Sequence, residues 1–447
     1  MKSTLTLLYY ITLSTLCISV LSLDISILKG DKLFNNNTPI IINIDSPNTT
    51  DKKSNVDLIC VIDVSGSMQG NKIKQVKDSL LTLVKLMDSN DKLGLVLFNT
   101  HSTVLSELIN MTPNNKILIS DKINTITANG GTSILAGLET AVNMLENTTT
   151  LTITSGVILL SDGMDNNLGE FELAKGLREL TKGKNLRFTL HTFGYGLDHD
   201  PLTMTKLANL RDGSFYFVEE LTKVKAYFVN VLGGCMSVIS NKVVIKVKAE
   251  FTLSKVFGLE DLYSYTLEEK YFETELLQLI SGKEYTYVFE MEIPDDTAFG
   301  VDLMDVEVKY YDLKGVEHVE TAKFIYADTK QTETAKEIIA KANEEYIRSK
   351  TYETIQLAMK EREEGEKEKA MEDLTEMKEW LTHNYEGQKP YLMDIDASVD
   401  MIGEDAQYES VGRAYMASVS NEAMAKRGGR DMMYSNKMQM ALLDQIE

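Results

Sequence analysis

Leu58-Ile59-Cys60-Val61-Ile62-Asp63-Val64-Ser65-Gly66-Ser67-Met68 is the stretch on which the reading of the fold turns. Residues 58–62 are apolar without a break. A strand with one wet face would alternate, so this run predicts a strand buried on both faces, as in a parallel sheet. At its end the chain changes character, and a carboxylate and two hydroxyls fall at every second position. Polar groups at the carboxyl end of a buried parallel strand lie where open α/β sheets bind their ligands. A serine placed there can be a nucleophile, a phosphate cradle, a metal ligand or a turn residue.

Working outward, the segment from about 56 to 236 alternates strands and helices. Ile73, Val76, Leu80, Val84 and Met87 recur at helical spacing, followed by a strand over Leu93–Phe98 and a polar, edge-like strand near Ser102–Leu108. Ile134, Leu138, Ala141 and Leu145 mark another helix. Val157–Leu160 is a second fully apolar strand, followed by a helix near 169–182, a strand over Leu186–Phe193, and a helix with Asp200 as N-cap and Pro201 at its first position. The pattern predicts an α/β domain: a doubly wound, mostly parallel sheet with helices on both faces.

From about 240 the period changes to two. Val243, Ile245 and Val247 recur at every second position among mostly charged or polar neighbours, as do Tyr285, Tyr287, Phe289, Met291 and Ile293, and Met304, Val306, Val308 and Tyr310. Such strands predict antiparallel sheets packed on a single side. Ile40, Ile42 and Ile44 show the same alternation ahead of the α/β segment, which is therefore expected to be inserted in an antiparallel β-sandwich. Beyond about 330 helical stripes follow, Ala335, Ile338, Ala342 and Tyr346 on one and Ala370, Leu374, Met377 and Leu381 on another. The charged run EREEGEKEKAMEDL reads as solvated helix surface, and Met432, Met433, Met438 and Met440 as ordinary core filling, with an adaptable docking surface as the alternative. The boundaries expected are 1–22 for a signal peptide, 23–55 for N-terminal sandwich strands, 56–236 for the α/β domain, 237–328 for the sandwich and 329–447 for a helical region.

Composition excludes several function classes. A formal charge of −21 repels polyanions, which argues against nucleic acid and anionic lipid as partners. The opening MKSTLTLLYYITLSTLCISVLSLD, one basic residue followed by an apolar run with a small-residue site near Ser22, reads as a secretory signal, with a membrane signal-anchor as the alternative. Sequons at Asn36, Asn48, Asn110 and Asn147 fit that route and an expected glycoprotein. Of the three cysteines, Cys17 lies in the signal segment, and Cys60 reads as a small buried strand residue, so no disulfide framework is expected. Five scattered histidines leave no zinc-finger ligand set.

Three pieces carry the chemistry: Asp63-Val64-Ser65-Gly66-Ser67, Gly130-Gly131-Thr132-Ser133 and Ser161-Asp162-Gly163. Each lies in a loop after a predicted parallel strand or beside a helix start, so they can converge at one sheet edge. Two carboxylates and several hydroxyls form a hard oxygen donor set suited to Mg²⁺, with Mn²⁺ or Ca²⁺ as substitutes.

With these pieces in place the chain resembles the von Willebrand factor type A (VWA) domains that carry a metal-ion-dependent adhesion site. Asp63, Ser65 and Ser67 match that family's DxSxS element, Thr132 its separate threonine and Asp162 its distal aspartate. The resemblance implies that the serines bind the metal directly, that the threonine and aspartates bind directly or through water, and that a partner's Asp or Glu completes the shell. Gly66, Met68, Gly131, Gly163 and Met164 are expected to flank the bound ligand. ANGGTSILAGLETAV, HTFGYGLDHDP, GSFYFVEEL and VNVLGGCMSV are similar to a subgroup whose A domain is followed by a VWA-intein-like associated region of strands and helices. Neither ubiquitin transfer nor splicing carries over, because RING ligands and a suitably placed nucleophilic cysteine are lacking.

Other candidates carry less. Asp198-His199-Asp200 can be read as a second metal site, but Asp200 before Pro201 already has a capping role. Asp165-Asn166-Asn167 lacks the spacing of a calcium loop and reads as a turn. Neither serine lies in G-x-S-x-G, and no GxxxxGK[ST] loop is present. The expectation is a secreted or surface-associated, non-enzymatic, Mg²⁺-dependent protein-binding module. The alternative is a scaffold whose sandwich and helices make the partner contacts.

Overall fold

The structure is a computed structural model describing residues 22–420, except 35, 49–53, 147–153, 185, 197–198, 219–220, 260–263, 327–332, 385–388, 409–411, 414 and 418. The signal-like segment with Cys17, the sequon at Asn147, Asp198 and the methionines from Met432 to Met440 lie outside those residues.

After β1 (Asp24–Lys29) and β2 (Thr38–Asp45) the chain enters the α/β unit. This runs β3 (Val56–Asp63), α1 (Asn71–Leu86), β4 (Lys92–Phe98), β5 (Ser102–Asn110), α2 (Pro113–Asn124), α3 (Ile134–Glu146) and β6 (Thr154–Ser161). It continues with α4 (Glu170–Thr181), β7 (Phe188–Tyr195), α5 (Pro201–Asn209), β8 (Phe215–Val218) and α6 (Leu221–Met236). The sheet order is β5-β4-β3-β6-β7-β8, with only β5 antiparallel to its neighbour. Central β3 is buried at every residue, which is why its sequence does not alternate. Cys60 and Ile62 face a core shared with Val76, Leu80, Phe228 and Leu232, while Ile59 and Val61 face Ile134, Leu138, Leu173 and Leu207. Cys60 and Cys235 are free and buried.

Three elements of this unit go beyond the pattern reading. α2 has only Ile119 and Ile123 buried and leaves Ile117 and Leu118 exposed, so its periodicity is weak. Its start is the clearer signal: Thr112 caps the helix by accepting from the Asn115 N–H, with Pro113 in the first turn. β8 and α6 likewise carry no separate pattern in the sequence reading, and β7 begins two residues later than Leu186.

The remaining strands are β9 (Val238–Ala249), β10 (Leu253–Val256), β11 (Ser264–Glu268), β12 (Tyr271–Leu276), β13 (Leu279–Ile280), β14 (Glu284–Met291), β15 (Asp302–Asp312) and β16 (Glu317–Ile325). They build two antiparallel sheets, β1-β2-β14-β10 and β11-β12-β9-β15-β16, with β13 on β9. β2, before the α/β unit, pairs with β14, after it, in a register that sets Ile42 against Tyr287. The α/β unit is thus inserted between strands of a sandwich. Its core joins Ile40, Ile42 and Ile44 of the first sheet to Val243, Ile245 and Val247 of the second.

The single-sided packing expected of these strands holds for β15 but not for β2 and β14. Three long helices follow, α7 (Glu333–Glu363), α8 (Lys367–Asn384) and α9 (Lys389–Gly403), then a single turn, α10 (Asp405–Gln407), and α7 covers the outer face of the first sheet. Ile41 and Val288 are buried there against Ala342 and Tyr346, and the Tyr346 hydroxyl donates to Glu290 Oε1 at 2.7 Å. Ile338 falls off the buried stripe and is exposed, whereas Ala370, Leu374, Met377 and Leu381 are all buried. EREEGEKEKAMEDL is not one solvated surface: it holds the turn between α7 and α8, with Gly365 at φ 85° and Glu361 buried beside Lys369 Nζ at 2.6 Å. Among the described residues no helix is long and apolar enough to cross a membrane.

Candidate metal-binding crevice

The register of the parallel strands brings the three loops together. Asp63 ends β3 opposite Phe98 at the end of β4, and Ser161 ends β6, the neighbour on the other side. Asp63, Ser65, Thr132 and Asp162 are all buried, while Ser67 is exposed at the crevice mouth.

Asp63 organises the first loop. Its Oδ1 accepts from the Ser65 N–H at 2.8 Å, and its Oδ2 accepts from the Ser161 hydroxyl at 2.6 Å. Ser161 Oγ in turn accepts from the Gly163 N–H at 2.9 Å, so one hydroxyl ties the β3 carboxylate to the loop after β6. Ser65 Oγ and Ser67 Oγ lie 2.9 Å apart. Two ligands on adjacent corners of an octahedron around Mg²⁺ are separated by about 2.9 Å, given Mg–O distances near 2.0–2.1 Å.

The threonine loop is held from both sides. The Gly66 N–H donates to Gly130 O at 2.9 Å and the Asn129 N–H to Val64 O at 2.7 Å; on the far side the Ser133 N–H donates to Asn99 O at 2.7 Å. Gly130 has φ 87°, a left-handed conformation open to glycine at little cost. Asn166 clamps Thr132 from across the crevice: its side-chain oxygen accepts from the Thr132 N–H, and its own N–H donates to Thr132 O at 3.1 Å. Asp165 caps α3 from this separate loop, its Oδ2 accepting from the Ile134 N–H at 2.7 Å.

Asp162 is the exceptional group. Its Oδ2 lies 3.1 Å from Lys72 Nζ, and its backbone oxygen accepts from the Asp200 N–H at 2.8 Å. Oδ1 is buried without a hydrogen-bond partner among the described residues. A buried carboxylate oxygen left unpaired is costly, and a positive group beside it would offset that cost. Burial pushes the Asp63 carboxyl up to about 6; the hydrogen bonds from Ser161 and Ser65 pull against that, and the nearby Asp162 charge adds to it. A buried carboxyl whose ionisation a neighbouring carboxylate hinders, a pair of hydroxyls at coordination spacing and an unpaired oxygen together fit a hard divalent cation. Among the described residues no group of three or more His, Cys, Asp or Glu side chains is placed to hold a metal ion, so a cation in this crevice would depend on the hydroxyls.

The flanking residues divide. Gly66, Gly131 and Gly163 lie in the loops, and at Gly163, with φ 76°, a Cβ would approach Asp200 O to 2.9 Å. Met164 is exposed beside them. Met68 is fully buried in the core beneath the loop, packed near Val76 and Leu80, so it supports the loop and is not available as a ligand contact. Asp200 is a cap, accepting from the Leu202 and Thr203 N–H groups at 3.2 Å each. His199 Nδ1 is 2.7 Å from Gly196 O and its ring stacks on Phe217. Asp165-Asn166-Asn167 forms the turn expected of it but also the clamp on Thr132, which its composition does not reveal. Lys72 went unread as well, although a basic residue in the first turn of a helix opposes the helix dipole and is a legible anomaly.

Comparison with known proteins agrees with this fold. The profile of the von Willebrand factor type A domain matches residues 57–229. Inter-alpha-trypsin inhibitor heavy chain H3 of Mesocricetus auratus is 34% identical over 146 residues, 31% of this chain and 16% of the relative. The chain therefore matches only about a sixth of that relative's length. Two solved structures share the fold over nearly the whole chain: a von Willebrand factor type A protein from Catenulispora acidiphila, with TM-score 0.66, 15% identity and coverage of 90% of this chain and 96% of that one, and the ArnB paralog VWA2 from Sulfolobus acidocaldarius, with TM-score 0.58, 14% identity and coverage of 91% and 99%.

Proposed function

We propose that the von Willebrand factor type A domain formed by residues 57–229 binds Mg²⁺ at this crevice and uses it to capture an acidic side chain of a protein partner. Ser65, Ser67 and Thr132 would hold the ion by their hydroxyls, with Asp63 and Asp162 binding directly or through water. The bound ion supplies an electrophilic position for the partner's carboxylate. The observation that carries the reading is the unpaired, buried Oδ1 of Asp162, a carboxylate close enough to act on Asp63, whose own loop sets two serine hydroxyls 2.9 Å apart. Neutral hydroxyls leave a dication underneutralised, so an incoming Asp or Glu is attracted strongly at short range.

A binding role fits these residues better than catalysis. Ser65 Oγ pairs with the hydroxyl of Ser67 rather than with an imidazole that could activate it. An extracellular or surface location is part of the same proposal. It rests on the signal-like residues 1–22 and on sequons whose Asn36, Asn48 and Asn110 are all exposed. So is the correspondence of the sandwich and helices with a VWA-intein-like associated region, supported by their order after the A domain.

Calorimetric titration of the full chain with Mg²⁺ tests the metal, and capture of protein on the immobilised, Mg²⁺-loaded chain tests the partner. One saturable site lost in Asp63→Ala, and retained protein that elutes with EDTA, are the expected results. Retention that survives both EDTA and Asp63→Ala would overturn the proposal in favour of a scaffold. Point variants serve better here than removal of the C-terminal helices, because that deletion would uncover Ile41 and Val288.

A further inference from the structure

Lys72 is the one basic side chain that the described residues place on the carboxylates of the crevice. It lies in the first turn of α1, where backbone N–H groups already make the field positive. Its side chain is 16% exposed, and it pairs at 3.1 Å with an Asp162 carboxylate that is fully buried. Two unfavourable terms, the helix dipole and partial burial of an ammonium, are therefore accepted to keep a cation at this position. The pair uses Oδ2 of Asp162 and leaves Oδ1 open, so the ammonium and a metal ion have separate oxygens of one carboxylate to occupy.

We infer that Lys72 is a resident cation that sets the charge of the metal-loaded crevice, weakening metal binding while keeping the loaded site net positive for a carboxylate ligand. This rests on the metal-binding reading above. Counting Asp63 and Asp162 as ionised together with Lys72 alone, the three groups carry a single net negative charge, and a dication turns that into a single net positive charge. Without Lys72 the two carboxylates and the dication would sum to zero. An ammonium this close to a dication repels it, and both attract the same incoming carboxylate. Lys72 thus makes the site depend on its ligand for full neutralisation: metal held alone is held less tightly, and metal with a carboxylate more tightly. Lys72 is a positioning and specificity-determining residue in this scheme and not a metal ligand.

The test uses the full chain, Mn²⁺ as the metal followed by paramagnetic resonance, and acetate as the carboxylate probe. In Lys72→Gln, Mn²⁺ affinity without acetate is expected to tighten by about tenfold or more. The gain in Mn²⁺ affinity produced by saturating acetate is expected to shrink. Lys72→Arg keeps the charge and is expected to stay near the wild type in both readings, which separates charge from packing. Circular dichroism melting of each variant identifies one that has failed to fold, in which case Lys72→Met replaces Lys72→Gln. Mn²⁺ binding by Lys72→Gln that is unchanged or weaker, while Asp63→Ala abolishes it, overturns the inference alone. Wild-type protein that binds no Mn²⁺, or binds it equally well as Asp63→Ala, overturns the metal reading beneath it.

Discussion

Ser161 Oγ donates to Asp63 Oδ2 at 2.6 Å across the junction of two neighbouring parallel strands, and accepts from the Gly163 N–H at 2.9 Å. Both strands end there, so this hydroxyl fixes the spacing of the two loops that carry Asp63 and Asp162. Ser161→Ala removes the donor and leaves a buried carboxylate oxygen and a buried N–H short of a partner. A loss of about 1–3 kcal/mol in folding stability is expected from urea or thermal unfolding. Mn²⁺ affinity should fall on the order of tenfold, as for other residues that orient a ligand without touching the metal. Wild-type affinity in Ser161→Ala would show that Asp63 is oriented by other contacts.

Acid should weaken the metal site early. Asp63 in the metal-free protein holds its proton up to a pH of about 6, against an ordinary 3.8, chiefly because burial disfavours the charge. Protons therefore compete with the metal below about pH 6, and Mn²⁺ affinity is expected to fall by up to about tenfold per pH unit there. The stability effect has the opposite sign. The native, metal-free protein binds this proton more tightly than the unfolded chain, so Asp63 contributes stability that is complete below 3.8 and lost as pH rises through about 6. Asp63→Asn should abolish the contribution, and melting curves of wild type and Asp63→Asn in EDTA between about pH 4 and 7 isolate it. Parallel pH profiles would contradict the assignment.

What could be read from the sequence, and what could not, follows a physical division. The five-residue apolar run before Asp63 identifies a doubly buried strand, and the proposed donors in DxSxS, Thr132 and Asp162 are legible because a ligand set would need particular donor types at chain positions the topology brings together. Ile40, Ile42 and Ile44 read as a strand packed on one side, and that reading fails because Ile41 between them is apolar too and is buried under α7, so β2 is covered on both faces. Lys72 and Asn166 escaped because Lys and Asn are ordinary surface residues, and their roles exist only through contacts across loops: Lys72 with Asp162, 90 positions away, and Asn166 with Thr132, 34 away. α2 escaped for a different reason. Its buried face is only Ile119 and Ile123, too sparse for periodicity, so its cap was the better guide.

Asn166 offers a separate test of how the threonine is held. Its side-chain oxygen receives the Thr132 N–H, and its N–H reaches Thr132 O at 3.1 Å, so the side chain closes a two-point clamp. Asn166→Ala keeps the backbone contact and removes the other. Expected results are a small loss of stability, about 1 kcal/mol, and a several-fold loss of Mn²⁺ affinity through a less ordered Thr132. Asn166→Asp keeps an acceptor for the Thr132 N–H and adds a negative charge beside the site, so it should preserve or improve Mn²⁺ affinity. Weakening by Asn166→Asp equal to that by Asn166→Ala would argue against the clamp.

The helical layer should be separable from the metal site by one hydroxyl. Tyr346 on α7 donates to Glu290 Oε1 at 2.7 Å, with Glu290 buried on the outer face of the sheet that α7 covers. Burial and this contact push the Tyr346 hydroxyl well above its usual range, which keeps it a donor at any working pH. Tyr346→Phe keeps the ring packed near Phe34 and Phe257 but removes the donor to a buried carboxylate. A loss of about 1–3 kcal/mol is therefore expected, measured by chemical unfolding at neutral pH. Mn²⁺ affinity should stay within about twofold of wild type, because additivity holds for distant sites without shared partners. If Tyr346→Phe instead weakens Mn²⁺ binding in proportion to its loss of stability, the helices and the crevice form one energetic unit, and α5 is the element to pursue: Asp200 at its N-terminus donates to Asp162 O, and its Leu202 packs on the helical cluster.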